Sequence, residues 1–126
     1  MRALRLIAIV TCFLALAAAW PSVAATPQLH ITIENGSPYF VPAKAVAVAG
    51  VSIRWENPTP THHTVTHNGC IEEGMACAFD SGIMEPDGSY TIPSLPPGNY
   101  PYHCRVHPIM QGILVVVEHG SVSSQT

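Results

Sequence analysis

Apolar and polar residues alternate in short runs along this chain, and proline or glycine closes almost every run. Leu29, Ile31 and Ile33 alternate with His30, Thr32 and Glu34, the period of a half-buried strand. Asn35-Gly36-Ser37-Pro38 then reads as a turn. Val46 and Val48 alternate before Gly50. Val51, Ile53 and Trp55 alternate with Ser52, Arg54 and Glu56, and Asn57-Pro58-Thr59-Pro60 ends that strand. Thr64 to His67 is a short β-prone segment, and Asn68 to Asp87 is irregular. Tyr90 to Ile92, Tyr100 to Cys104 and Ile113 to Glu118 complete the series, with a breaker-rich loop from Pro93 to Gly98. Outside the first 25 residues no window carries a helical period. Twelve Pro and nine Gly in 126 residues also speak against a helical bundle. About seven to eight short strands, with turn signals every 8–12 residues or so, predict an all-β, Greek-key β-sandwich with mostly antiparallel neighbours.

The chain divides once. Residues 1–25 read as a secretory signal: Arg2 and Arg5 lead a 14-residue apolar run from Leu6 to Ala19, and small residues follow at Ser22, Ala24 and Ala25. The run is shorter than the roughly 20 residues a membrane span requires, so a retained anchor is the weaker reading and no membrane span is expected in the mature chain. Residues 26–126 then form one domain, expected as a monomer in the periplasm or otherwise exported. Only Lys44, Arg54 and Arg105 remain basic there, against eight acids. That deficit of positive charge makes nucleic acid an unexpected partner. The mature chain has three cysteines, Cys70, Cys77 and Cys104, and in an oxidising compartment two of them should pair. Cys70 and Cys77 enclose Ile-Glu-Glu-Gly-Met-Ala, and a structural disulfide is the plainer reading of that pair; a second metal or redox site is the sharper one.

Cys104 stands in Tyr-His-Cys-Arg-Val-His-Pro-Ile-Met, residues 102–110. Cys104, His107 and Met110 are three residues apart in a loop between two strands. Such a loop can aim a thiolate, an imidazole and a thioether at one point. His63, in His-Thr-Val-Thr, offers a second imidazole. Two His, one Cys and a weak axial Met make up the ligand set of a blue-copper electron-transfer site; structural zinc sites prefer Cys and His without a thioether. His62 adjoins His63, and if one ring faces the site the other faces away. His67 lies roughly 13 Å along an extended strand from His63 and reads as a surface or hydrogen-bonded histidine. Met84 and Trp55 read as packing, and Met75 as exposed. Glu72, Glu73, Glu85 and Asp87 read as solvated surface charge.

The order of Phe40-x-Pro42, Ile53-x-Trp55-x-Asn57, His63-Thr64-Val65, Phe79-Asp80-Ser81-Gly82, Gly98-x-Tyr100-x-Tyr102-x-Cys104, His107-Pro108, Met110 and Gly112 resembles the cupredoxins, and within them the small plastocyanin- and amicyanin-like proteins. The resemblance implies one copper ion, Cu(II)/Cu(I), held by His63, Cys104, His107 and Met110. It implies single-electron transfer between redox protein partners, with His107 as the electron exit beside an apolar patch that includes Pro108 and Ile109. It also implies that the backbone N–H of Thr64 donates to the thiolate. The Cys70–Cys77 pair departs from plastocyanin and amicyanin. A copper-delivery protein is the alternative reading. A copper enzyme is not expected. His103 precedes Cys104 as in copper nitrite reductases, but Asn68 stands where their pattern needs another histidine, and only a site shared between subunits would complete it.

Overall fold

A computed structural model describes residues 19–35 and 39–120. The signal expected over residues 1–25 lies largely outside those residues. So does the centre of the turn expected at 35–38. Ala19 to Ala25 is exposed and belongs to no strand, and no helix among the described residues is long and apolar enough to cross a membrane.

Eight strands form two four-stranded sheets. They are β1 (Gln28–Ile33), β2 (Phe40–Val41), β3 (Lys44–Val48), β4 (Ser52–Glu56), β5 (Thr66–His67), β6 (Ser89–Ile92), β7 (Gly98–His103) and β8 (Gln111–Val117). One sheet runs β2-β1-β4-β6 and the other β3-β8-β7-β5. The all-β sandwich expected from the alternation is the fold observed. Strand neighbours are mostly antiparallel, as expected, in four pairings of six, and two parallel pairings join them. Only β1–β2 and β7–β8 join consecutive strands as antiparallel pairs, while β1 with β4 and β3 with β8 are parallel. From β2 to β7 the chain changes sheet at every step, so a strand finds its partner through a crossover and the sheets are mixed.

Alternation decides which face is buried. In β1, Ile31 and Ile33 point into the core while His30 and Thr32 face solvent. In β4, Ile53 and Trp55 are fully buried. In β3 the buried positions are Ala45 and Ala47, and Val46 is 54% exposed. The core gathers Ile31, Ile33, Phe40, Trp55, Tyr102 and Leu114 between the sheets. Trp55 packs edge-on to Tyr102, with ring centroids 5.6 Å apart. Burial pushes the Tyr102 hydroxyl up to about 12, so it keeps its proton at any physiological pH. Tyr102 lies opposite Gly112 across β7 and β8, and a side chain on Gly112 would overlap its ring.

The segment from Asn68 is held by a 3-10 turn over Asn68–Cys70 and by a disulfide between Cys70 and Cys77, Cα atoms 4.1 Å apart. Cys104 is free and buried. The loop docks on β5 through His67, which is buried and whose Nδ1 accepts the N–H of Ala78 at 3.1 Å. Gly69 lies so close to the His67 ring and the Ala76 carbonyl that no side chain fits there.

Two expectations follow. Gly112→Ala should cost about 1–3 kcal/mol, the usual penalty for overfilling a packed core, read as a lower urea midpoint. Thiol titration of the unfolded, unreduced mature protein should count one free thiol. Replacing Cys70 and Cys77 together with Ala should then lower stability by about 2–3 kcal/mol, from the loop-closure entropy of an eight-residue ring.

Candidate metal centre

Four of the residues marked by the sequence occupy one end of the sandwich. His63 lies between β4 and β5. Its backbone exchanges two hydrogen bonds with Met84, N–H to O at 3.2 and 2.8 Å, which fixes the ring's direction. Cys104 follows β7. The loop behind it is closed by two backbone bonds, Met110 N–H to the His107 carbonyl at 2.8 Å and Cys104 N–H to the Met110 carbonyl at 3.0 Å. These tie the first and last residues of the Cys-x-x-His-x-x-Met run together. His63, Cys104 and Met110 are buried and His107 is half-buried.

The Cys104 sulfur stands 3.8 Å from His63 Nδ1 and 3.8 Å from His107 Nδ1. The two rings have centroids 4.8 Å apart, and one donor atom from each of the three residues lies within 4.8 Å of the others. The two sulfur–nitrogen separations of 3.8 Å suit donors that share one ion with bonds of about 2.0–2.3 Å. This is the one such group of His, Cys, Asp and Glu among the described residues. The Cys104 sulfur and the two imidazoles, with the thioether of the fully buried Met110 whose backbone is tied to Cys104, make a soft, mixed donor set, which fits copper better than zinc. The backbone N–H of Thr64 donates to the Cys104 sulfur at 3.3 Å, as the resemblance implied.

The other marked residues sort as follows. His62 points outward, its Nε2 2.7 Å from a Glu85 carboxylate oxygen. Met84 and Trp55 are core, and Met75 is exposed. His103 faces away from the cluster and its Nδ1 lies 2.7 Å from the Asn68 side-chain oxygen. Pro108 and Ile109 are exposed next to His107, Ile109 at 77%.

Sequence reasoning missed two groups. Thr59 and Thr61 place their hydroxyls 3.0 Å from His63 Nε2, and Asn57 backs Thr59. Their only sequence signal is a hydroxyl four and two residues before the histidine, inside a segment read as a strand end. The second group is a run of bonds behind the thiol. The Thr64 hydroxyl accepts the Arg105 N–H at 2.8 Å and lies 3.1 Å from the Thr66 hydroxyl. Thr66 donates to Asp80 at 3.1 Å, and the Arg105 guanidinium returns to Asp80 at 2.6 Å.

Comparison with known proteins bears on the family and the fold. Residues 5–116 match the sequence profile of the cupredoxin-like domain. The chain belongs to that family. Solved structures similar to this cupredoxin include a purple cupredoxin from Nitrosopumilus maritimus. It is 21% identical with a TM-score of 0.60, and the match covers 71% of this chain and 99% of that one. A reduced Cu(I) form of an amicyanin variant at pH 4 is 24% identical with a TM-score of 0.62, covering 76% of this chain and 87% of that one. An oxidised amicyanin variant is 23% identical with the same TM-score and coverage. At such identities these neighbours establish a shared fold. No curated protein sequence matches the chain.

Burial pushes the His63 imidazole below the usual histidine range, and the neighbouring His107 and His62 push it the same way. In the unfolded chain that ring titrates at about 6.5. As pH falls, the unfolded state therefore takes up the proton first, and the fold loses stability. The contribution is complete above about pH 6.5 and declines below it, towards the lowered folded-state value. Melting curves of the metal-free mature protein should shift to lower temperature on acidification from about pH 7.5 to 5.5. A His63→Gln variant should show a smaller shift, and an equal shift in both would remove His63 as a source.

Proposed function

We propose that this cupredoxin is a small exported electron carrier that binds one copper ion through His63, Cys104, His107 and Met110. The observation that carries the reading is the convergence of three donor atoms within 4.8 Å, with a buried thioether residue tied to the same loop. Copper bound there would supply one-electron chemistry between Cu(II) and Cu(I). The chain's own residues supply the rest. The Thr64 N–H, aimed at the Cys104 sulfur, stabilises negative charge on a thiolate buried from water. His63, held by backbone bonds on one side and hydroxyls on the other, has little freedom to reorient. His107 alone among the four reaches towards the surface, and the exposed Val106, Pro108 and Ile109 around it give a redox partner an apolar place to dock. Residues 1–25 serve as the export signal and residues 26–126 act as a monomeric carrier domain in the periplasm or an equivalent exported compartment.

Loading the mature protein with Cu(II) should produce an intense visible band with a stoichiometry of one copper per chain. Cys104→Ser should abolish the band, because the thiolate is its donor. A band that survives in that variant would falsify the assignment. Reversible voltammetry without loss of metal supports the carrier reading, whereas prompt release of Cu(I) to a chelating acceptor would replace it with delivery.

A further inference from the structure

Asn57 is buried and has every polar atom of its side chain engaged. Its amide nitrogen faces three backbone carbonyls, those of Thr61 at 2.8 Å, Glu85 at 3.1 Å and Met84 at 3.3 Å. Carbonyls only accept, so the NH2 group must lie on that side and the oxygen must lie on the other. The oxygen therefore meets Thr59, accepting its backbone N–H at 3.2 Å and its hydroxyl at 2.6 Å. A threonine hydroxyl has one proton. The proton goes to the nearer acceptor, Asn57, rather than to the Thr61 carbonyl at 3.3 Å. Thr59 Oγ1 is then left as an acceptor towards His63 Nε2, 3.0 Å away. A neutral imidazole carries one N–H. With that proton on Nε2, Nδ1 keeps its lone pair, and Nδ1 is the atom that faces the Cys104 sulfur.

We propose that Asn57 and Thr59 are positioning residues that fix the tautomer of His63, so that its Nδ1 lone pair is presented to the metal site. The direction of the whole chain of bonds is set by the three carbonyls around Asn57, none of which belongs to a candidate metal ligand. The inference rests on the reading of His63 as a ligand, and it assigns the residues that make it one. Thr61 is the competing element. Its hydroxyl also lies 3.0 Å from Nε2, and if it donated there the proton would move to Nδ1 and block the site. Thr59 decides between the two arrangements because its own proton is already committed. A metal-ligating histidine whose other nitrogen loses its partner typically loses 10–100-fold in metal affinity.

The experiment is long-range proton–nitrogen correlation NMR of the 15N-labelled, metal-free mature protein at about pH 8, where an ordinary imidazole is neutral. The parent should show His63 as a single Nε2–H tautomer. Thr59→Val keeps the shape and removes the hydroxyl, and His63 should become a mixture or move to the Nδ1–H form. Thr59→Ser restores the hydroxyl and should restore the parent spectrum. A parent in the Nδ1–H form overturns the proposal without any variant. So does a Thr59→Val protein that keeps the Nε2–H form alone. Copper affinity, measured separately by competition with a chelator, should fall about 10–100-fold in Thr59→Val and recover in Thr59→Ser. A variant that is merely less stable would melt earlier yet keep the parent tautomer. The two readings also fail separately. A fixed tautomer in a protein that takes up no copper rejects the electron-carrier function and keeps the relay. A coloured copper protein whose tautomer ignores Thr59 does the reverse.

Discussion

Two residues of pairing between β5 and β7 determine where the site's atoms meet. Thr66 lies opposite His103 and His67 opposite Tyr102. That register carries Thr64 to the level of Arg105, whose N–H bonds the Thr64 hydroxyl, and brings the Thr64 N–H onto the Cys104 sulfur. His63, one residue earlier, is thereby set against the thiol. A slip of one residue would turn every side chain of β5 to the other face and put His62 where His63 stands. A two-residue strand cannot hold a register on its backbone bonds alone. The surrounding contacts hold it: His67 takes the Ala78 N–H, the disulfide fastens the loop that carries Ala78, and Thr66 reaches Asp80.

The Asp80–Arg105 pair illustrates how magnitude decides role. Arg105 is half-exposed, and an ion pair of that kind is worth about 0–1 kcal/mol. It therefore adds little stability by itself. Its position matters more. It closes a ring that runs from the Arg105 backbone through two threonine hydroxyls to Asp80, directly behind the thiol. With both ends of that ring anchored, the peptide following Cys104 has few alternative conformations. The gain is in the placement of sulfur.

How much of this was legible in the sequence depends on how local each feature is. The runs that became β1, β4 and β8 could be read because alternation is a property of consecutive residues. The loop's candidate donors could be read because Cys104, His107 and Met110 lie within seven consecutive residues. The choice between His62 and His63 was legible as an either–or from strand parity, and the structure places His62 on Glu85 and His63 on the thiol. The two-residue β2 was too short to carry a period, and it exists because β1 offers it an edge. Parallel pairing of β1 with β4 and of β3 with β8 depends on crossovers, which leave no local mark. The buried face of β3 went unread for a related reason, since two alanines carry a weak hydrophobic signal beside two valines. Asn57 and Thr59 looked like a strand end. Their role appears only when the Met84–Glu85 segment, 27 and 28 residues away, supplies the carbonyls.

The two histidines of the cluster are held by different means, and the difference suits an electron carrier. His63 is buried, its backbone paired with Met84 and its outer nitrogen lodged between two hydroxyls. Rotating that ring would strand buried polar groups, each costing about 1–3 kcal/mol. His107 is fixed through its carbonyl, which accepts the Met110 N–H, while its ring is half-buried among exposed apolar neighbours. An approaching partner can cover that ring at the cost of desolvating mostly apolar surface, which is favourable in itself. The rigid half of the site therefore lies inside the sandwich, where no partner reaches it, and the accessible half lies on the loop. An arrangement with the two reversed would place the polar anchors at the docking surface, where water competes for them, and leave the interior ring without partners. The observed order follows from where each connection lies: His63 sits in the buried part of the segment between β4 and β5, while His107 rides on the half-buried loop that joins β7 to β8.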